Sequence, residues 1–484
     1  MKKFAIIIAS LLIALPALAQ SQAGQAFIHD PSTIALSNGK YFTFGTGGGG
    51  MISNDGYHWY RGPQEIQPHR CAAPDIIKIG DRYLVVHGAS GGGLGGRHKA
   101  SIYTKWTKSL DPESPDFGYT EPVEVAWSGD DEDCDAIDPS FLLDPTTGRL
   151  WLTYGTYFGF IRLVALDPKT GARVPGNEPL NIAIDCEATD LIYRNGWYYL
   201  LGTHGTCCDG ANSTYNIVCG RSREVTGPYL DNMGRDMIKG GGKMVLNAWG
   251  RVQGPGHFGR YIEDCGVEKM SCHFEADLDL GGFSTLCILP LRWVNDWPVA
   301  GEPTPVGSME IESVRRGYSL ELAVDFTRIE RRMRWFGMNE DTKIEPLPSQ
   351  KLEDVIGTWP AGEIGVRCGD YISRPHQRWT ITPLPDQDGF LGGAYCKITI
   401  EGTNRALAAT ADAELIAVPE FTGAPEQLWR IEQCIDGTWR ISPKAVPGHE
   451  GEKLYLVSVA DSTPALGAWD FNSDNSKWIF RDIR

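Results

Sequence analysis

Asp138-Pro139-Ser140-Phe141-Leu142-Leu143-Asp144-Pro145-Thr146-Thr147-Gly148-Arg149-Leu150-Trp151-Leu152-Thr153-Tyr154 is the stretch that decides how the first part of this chain folds. It reads as a strand, a tight turn with glycine, and a second strand. The pattern returns. Asp30-Pro31-Ser32 leads to Gly39 and the strand Tyr41-Phe42-Thr43-Phe44, and Glu187-Ala188-Thr189-Asp190 leads to Gly196 and Trp197-Tyr198-Tyr199-Leu200. Pro74-Asp75-Ile76-Ile77 leads to Gly80 and Tyr83-Leu84-Val85-Val86, and a fifth unit runs from Gly256-His257 through Ser271–Ala276 to Thr285-Leu286-Cys287-Ile288. The starts near 30, 75, 138, 187 and 257 give a period of roughly 45–70 residues, that of four-stranded propeller blades with loop insertions. The expected class is all-β, with a five-bladed β-propeller over about residues 22–305. A β-sandwich has similar strand spacing, but it gives no reason for an acid, or His257, to recur at one position of each unit. Arranged radially, the units bring Asp30, Asp138 and Glu187 to one axis, and converging carboxylates are the tool of glycoside hydrolysis.

Residues 1–19 read as an export signal: Lys2 and Lys3, the apolar run Phe4 to Leu15, then Ala17-Leu18-Ala19. That run is too short to span a membrane, and no cysteine lies near the cut to take a lipid. The expectation is a secreted or periplasmic chain without a transmembrane span. The formal net charge of −16 repels nucleic acid and anionic membranes and suits a neutral ligand. The glycine run Gly47–Gly50 lacks the Lys-Ser/Thr of a phosphate loop. Twelve cysteines follow the signal, with no paired CxxC spacing that would hold structural zinc. An oxidising compartment permits disulfides, whose connectivity sequence does not reveal.

The C-terminal part has another rhythm. Gln377-Arg378-Trp379, Gln427-Leu428-Trp429 and Ser476-Lys477-Trp478 end segments of about fifty residues, each opening a short strand. Three such units, with their tryptophans filling a shared core, resemble a ricin-type β-trefoil over residues 313–484, a fold often used to bind sugars. Serine stands in the third unit where the motif has glutamine. Residues 298–312, rich in Pro and Gly, are the expected junction.

Taken together and in order, Asp30-Pro31-Ser32, Ala73-Pro74-Asp75, Ala136-Ile137-Asp138-Pro139-Ser140, Glu187-Ala188 and Gly254-Pro255-Gly256-His257 resemble glycoside hydrolase family 43. Cys207-Cys208-Asp209-Gly210, Ser213-Thr214-Tyr215-Asn216-Ile217, Gly220-Arg221-Ser222, Thr226-Gly227-Pro228-Tyr229 and Gly240-Gly241-Gly242 resemble its arabinanase branch. The resemblance implies a five-bladed propeller with the site on its axis and inversion at the anomeric carbon. It implies Asp30 as general base, Glu187 as general acid, and Asp138 as the carboxylate that tunes the acid and holds the sugar. It also implies that His257 helps hold a metal, usually calcium, largely through waters. From the residues alone, His257 reads as a hydrogen-bonded structural histidine, because calcium prefers oxygen ligands.

Asp75, His29 and Tyr215 are the further candidates for binding substrate, with His29 expected at the pocket floor; a structural hydrogen bond is an equal reading of Asp75. His204 and the Cys207-Cys208 pair read as structural, or as lining a subsite. Asp130-Asp131-Glu132-Asp133 reads as a solvated loop or a calcium clip. The chain departs from many relatives: Ala72 replaces a tryptophan platform before Ala-Pro-Asp, Asp135 an asparagine, and Thr189 a proline. The carboxylates are untouched, so the departures bear on substrate and on endo or exo mode. The expected activity is inverting hydrolysis of α-L-arabinofuranosyl linkages in a neutral plant polysaccharide or oligosaccharide, arabinan foremost, by a monomer. An exo-acting arabinofuranosidase, or a related furanosidase or xylosidase, is the alternative. A carbohydrate-binding protein with an inactive propeller is the alternative of another class.

Overall fold

The computed structural model describes residues 22–24, 26–62, 71–89, 99–156, 158–324, 355–460 and 462–483. The export signal expected over residues 1–19 lies outside them. In the deciding stretch, Ser140–Leu143 pairs antiparallel with Leu150–Tyr154. The reversal closes where Gly148, at φ 70°, donates its N–H to the Asp144 carbonyl at 2.8 Å, a backbone conformation in which a Cβ is strained. Leu150–Tyr154 is buried along its whole length because both faces are covered. Leu150, Leu152 and Tyr154 share a buried cluster with Leu84, Val86 and Ile102, while Trp151 belongs to another with Leu191 and Leu200. Each strand of a sandwich buries one face; this one is held between two neighbouring sheets.

Five such sheets follow one another. Blade one holds Ala35–Ser37, Lys40–Phe44, Gly50–Ser53 and His58–Gly62, with Ala23–Gly24 added in parallel at its outer edge. Blades two to five run inside to outside from the inner strands Cys71–Ile79, Ser140–Leu143, Glu187–Arg194 and Val252–Asp264. Apolar clusters fill every gap between consecutive blades, including the gap between five and one, where Ile28, Met51 and Trp59 meet Leu286 and Ile288. That fifth cluster closes the ring. Backbone bonds from Ile28 N to Ser284 O (3.3 Å) and from Leu286 N to Ala26 O (2.8 Å) fasten the N-terminal stretch to the last blade.

The C-terminal part is built of strands as well. Six strands, Gly307–Ser313, Trp379–Pro383, Cys396–Ile400, Trp429–Gln433, Trp439–Pro443 and Trp478–Asp482, pair in succession and close into a barrel. Three hairpins complete it: Ser319–Leu322 with Ile364–Gly369, Ala406–Ala409 with Leu415–Val418, and Tyr455–Ala460 with Thr463–Gly467. Trp379, Trp429 and Trp478 are fully buried, and their indole N–H groups donate to the carbonyls of Leu320 (2.8 Å), Leu407 (3.0 Å) and Leu456 (2.8 Å), one per unit. The glutamine two residues earlier staples the preceding turn: Gln377 accepts from Ile372 N at 2.8 Å and Gln427 from Thr422 N at 2.7 Å. Ser476, the odd member, does the same at 3.4 Å from Asp470 N, so the substitution keeps the staple in weaker form.

A buried ion cluster joins the two domains. Glu432 of the C-terminal barrel, 3% exposed, meets Lys269 of blade five at 2.5 Å and Arg430 and Arg440 at 2.7 Å each, and Arg440 reaches back to Asp264 of blade five at 3.0 Å. Leu391 adds an apolar contact by joining the cluster of Trp59 and Ile288. One buried carboxylate meets all three cations, with Asp264 sharing Arg440, so removing the Glu432 charge takes away their common partner. Glu432→Gln is expected to lose roughly 3–5 kcal/mol of unfolding free energy in denaturant titration; a loss under about 1 kcal/mol would mean that water already screens the cluster.

Candidate active site

The inner strands share one irregularity. Asp30 (φ 53°), Ala73 (44°), Asp138 (51°), Ala188 (48°) and His257 (57°) all take the left-handed conformation at the matching point of their blades. Pairing slips there, between Ala72 and Asp75, Glu187 and Asp190, and Gly256 and Gly259. A bulge of this kind re-aims a side chain out of the sheet, and non-glycine residues hold such angles only where their surroundings fix them. Asp30, Asp138 and His257 sit on the kink itself. Glu187 sits one residue before it, so its phase differs from the one expected.

Above the kinks opens a cavity of about 650 Å³ lined by His29, Asp30, Asp138, Glu187 and Tyr215, among others. Asp75 is not part of its wall. Two residues past the kink, its Oδ1 accepts from Thr33 N at 3.1 Å and its Oδ2 from Phe141 N at 3.0 Å. It stitches the inner strands of blades one and three to blade two, which is the structural one of its two readings. Tyr215 lines the cavity and also contacts Glu187. It is 3% exposed and its hydroxyl donates to Glu187 Oε1, so it orients that carboxyl. Gly256 makes room for it, since a Cβ there would lie 2.5 Å from the Tyr215 ring. His29 lines the cavity and bridges Asp30 Oδ2 at 2.9 Å and Glu275 Oε1 at 3.1 Å.

The surroundings drive the carboxyls in opposite directions. Burial pushes the Asp30 carboxyl up, but His257 Nδ1 at 3.3 Å and the cationic His29 outweigh it and hold it well below the usual range. Thr46 Oγ1 donates to Asp30 Oδ2 at 2.5 Å and fixes its rotation. Burial raises the Glu187 carboxyl to about 7; the Tyr215 hydroxyl works against the rise, and the Asp30 charge adds to it. Asp138 is raised as well, first by burial and then by the Glu187 charge. The Asp138–Glu187 pair therefore resists double ionisation, while Asp30 stays charged.

Beneath the carboxyls, the propeller axis encloses a void of about 10 Å³ bounded by Thr33, Asp138, Ser140, Thr189 and His257, among others, room for about one water. The hydroxyls of Thr33, Ser140 and Thr189 are buried there with no hydrogen-bond partner among the described residues. Three orphaned hydroxyls, a carboxylate and an imidazole are an oxygen-rich set that fits a small hard cation. In the acidic run, Asp130 pairs with Lys99 at 2.9 Å, and Glu132 and Asp133 pair with Arg162 at 3.0 and 2.5 Å.

Sequence reasoning missed Thr46, His273 and Glu275. His273 and Glu275 alternate along Val267–Asp277 and so share a face, a signal that was legible. Cys207 and Cys208 form a disulfide in the cavity wall, and the other ten cysteines are free. Phe158 and Phe283, 40% and 63% exposed, add apolar rim where Ala72 provides no aromatic face.

The extracellular exo-α-(1→5)-L-arabinofuranosidase of Cellvibrio japonicus (strain Ueda107) is 29% identical over 312 residues, 58% of this chain and 88% of the relative. The extracellular endo-α-(1→5)-L-arabinanase 1 of Bacillus subtilis (strain 168) is 32% identical over 232 residues, 47% of this chain and 67% of the relative. The crystal structure of an exo-1,5-α-L-arabinanase from a bovine ruminal metagenomic library superposes with a TM-score of 0.52 at 31% identity, covering 58% of this chain and 99% of that one. No helix of the described residues is long and apolar enough to cross a membrane. Glycosyl hydrolases family 43 matches residues 25–298, more than half of the 484, and the chain belongs to that family.

Proposed function

We propose that the chain is an exported, inverting glycosidase that cleaves α-L-arabinofuranosyl linkages of arabinan, with Asp30 as general base, Glu187 as general acid and Asp138 as the residue that keeps the acid protonated. One observation carries this reading: a single cavity presents one carboxyl held low by two histidines and another raised to about 7. Opposed environments of this kind separate base from acid. Asp30 takes a proton from a water molecule as the water oxygen bonds to the anomeric carbon. The bond from that carbon to the leaving oxygen breaks, and Glu187 gives that oxygen its proton. Configuration inverts, and solvent exchange returns both carboxyls to their starting states. The two relatives named for α-(1→5)-L-arabinofuranosyl chains, both described as extracellular, support the linkage and an exported enzyme. Time-resolved product analysis on debranched arabinan tests the reading: early oligomers are expected from endo attack, arabinose alone would make the enzyme exo-acting, and no product would overturn the substrate.

A cation on the axis is part of the same proposal. His257, Asp138 and the hydroxyls of Thr33, Ser140 and Thr189 line the void and would hold it. Calcium bound there supplies positive charge that favours ionised carboxylates. Dialysis against a chelator is expected to lower Tm and kcat together, and calcium to restore both. Unchanged values would give the void to water.

A further inference from the structure

Glu275 takes no part in the chemistry above, yet it is 4% exposed beside the reacting groups and accepts three hydrogen bonds. His29 Nε2 (3.1 Å) and His273 Nε2 (3.2 Å) reach Oε1, and the backbone N–H of Cys208 (3.1 Å) reaches Oε2. The direction of one bond is fixed. Asp30 N–H donates to His273 Nδ1 at 3.1 Å, so His273 carries its proton on Nε2 and donates it to Glu275. A protonated Nε2 has no lone pair for a metal, so His29, His273 and Glu275 form a hydrogen-bond relay and not a cation site. His29 continues the relay, with its Nδ1 2.9 Å from Asp30 Oδ2.

Cys208 is the relay's outer end. It holds φ 62°, a conformation that a non-glycine residue keeps only where its surroundings over-determine it. The bond to the adjacent Cys207 closes a small ring that restricts this residue. Cys208 is solvent-exposed, and its bond to Cys207 is the single disulfide among twelve described cysteines.

We propose that Glu275 is a positioning residue for Asp30, and that the Cys207–Cys208 disulfide anchors the relay Cys208–Glu275–His29–Asp30, so that reducing it slows the reaction. The proposal rests on Asp30 as the general base. Reduction by a dithiol breaks the S–S bond, moves two electrons and two protons onto Cys207 and Cys208, and closes the reagent's own disulfide. Cys208 then leaves the left-handed conformation, its N–H withdraws from Glu275, and His29 loses its fixed partner on the side away from Asp30. The base samples orientations away from the attacking water, so turnover suffers more than sugar binding.

The test measures kcat and KM of the full chain in native form, after reduction with dithiothreitol, and after reoxidation, with mass spectrometry of alkylated thiols confirming each state. The variants Glu275→Gln and Cys207→Ser/Cys208→Ser accompany it. Reduction and each variant are expected to lower kcat about ten-fold or more with KM within about two-fold. Reoxidation restores the native rate, and dithiothreitol has no further effect on the double-serine variant. A confirmed reduced enzyme with native kcat overturns the proposal, as does a loss carried wholly by KM or a folded Glu275→Gln with native kcat. If a variant fails to fold, the reduced wild type still decides. An active Asp30→Asn variant would sink the base assignment itself; an inactive one beside a normal reduced enzyme would sink the relay alone.

Discussion

Asp30→Asn lowers kcat by about a thousand-fold or more and leaves the fold intact, the loss expected when a general base becomes a neutral amide. Asparagine is the informative replacement because Asp30 sits at φ 53°, where asparagine is tolerated better than most residues. It also keeps a carbonyl oxygen for the Thr46 hydroxyl, so position is preserved while basicity is lost. The wild type gains from the opposite arrangement: His29, raised to about 10 by Asp30 and Glu275 against the effect of burial, stays cationic and holds Asp30 ionised. Rates for the variant and the wild type on one substrate, with proton NMR of the first-formed anomer for the wild type, check both parts. A retained configuration, or a variant within about ten-fold of wild type, would remove Asp30 from the role of base.

Particular residues show why some of this was legible in sequence and some was not. The strand–turn–strand at 138–154 announced a blade because its pattern returns along the chain, and the structure covers both faces of Leu150–Tyr154. The three C-terminal tryptophans announced a threefold core because each fills the same place in its unit. Local pattern carries such information. The left-handed kink shows in it only in part: Asp30, Asp138 and His257 are types that tolerate positive φ, but Ala73 and Ala188 are not, so sequence does not mark the kink in every blade. The phase of Glu187 and the role of Asp75 both depend on that kink. Contacts across the ring are equally hidden. Asp30 meets His273 across 243 positions and His29 meets Glu275 across 246, and only closure of blade five on blade one makes them neighbours.

Glu187→Gln is expected to match the Asp30 variant in its loss on natural linkages and to differ from it everywhere else. Glutamine cannot give up a proton, so the loss scales with how much the leaving oxygen needs one. An arabinan linkage leaves as an alkoxide without help, and kcat should fall about a thousand-fold; a nitrophenyl glycoside leaves readily and should lose far less. The pH profile distinguishes the roles further. Activity requires Asp30 ionised, which its lowered carboxyl satisfies from acidic pH upward, and Glu187 protonated, which holds below about 7. The wild type should therefore show a plateau at mildly acidic pH and fall above about 7, and the Glu187→Gln variant should lose that falling limb on the activated substrate. Tyr215 sets where the limb lies. Its hydroxyl donates to the ionised Glu187 and draws that carboxyl down, so Tyr215→Phe should move the limb to higher pH. A limb that stays in place when both residues are changed in turn would belong to another group, and Asp138, raised by burial and by the Glu187 charge, is the one positioned to own it.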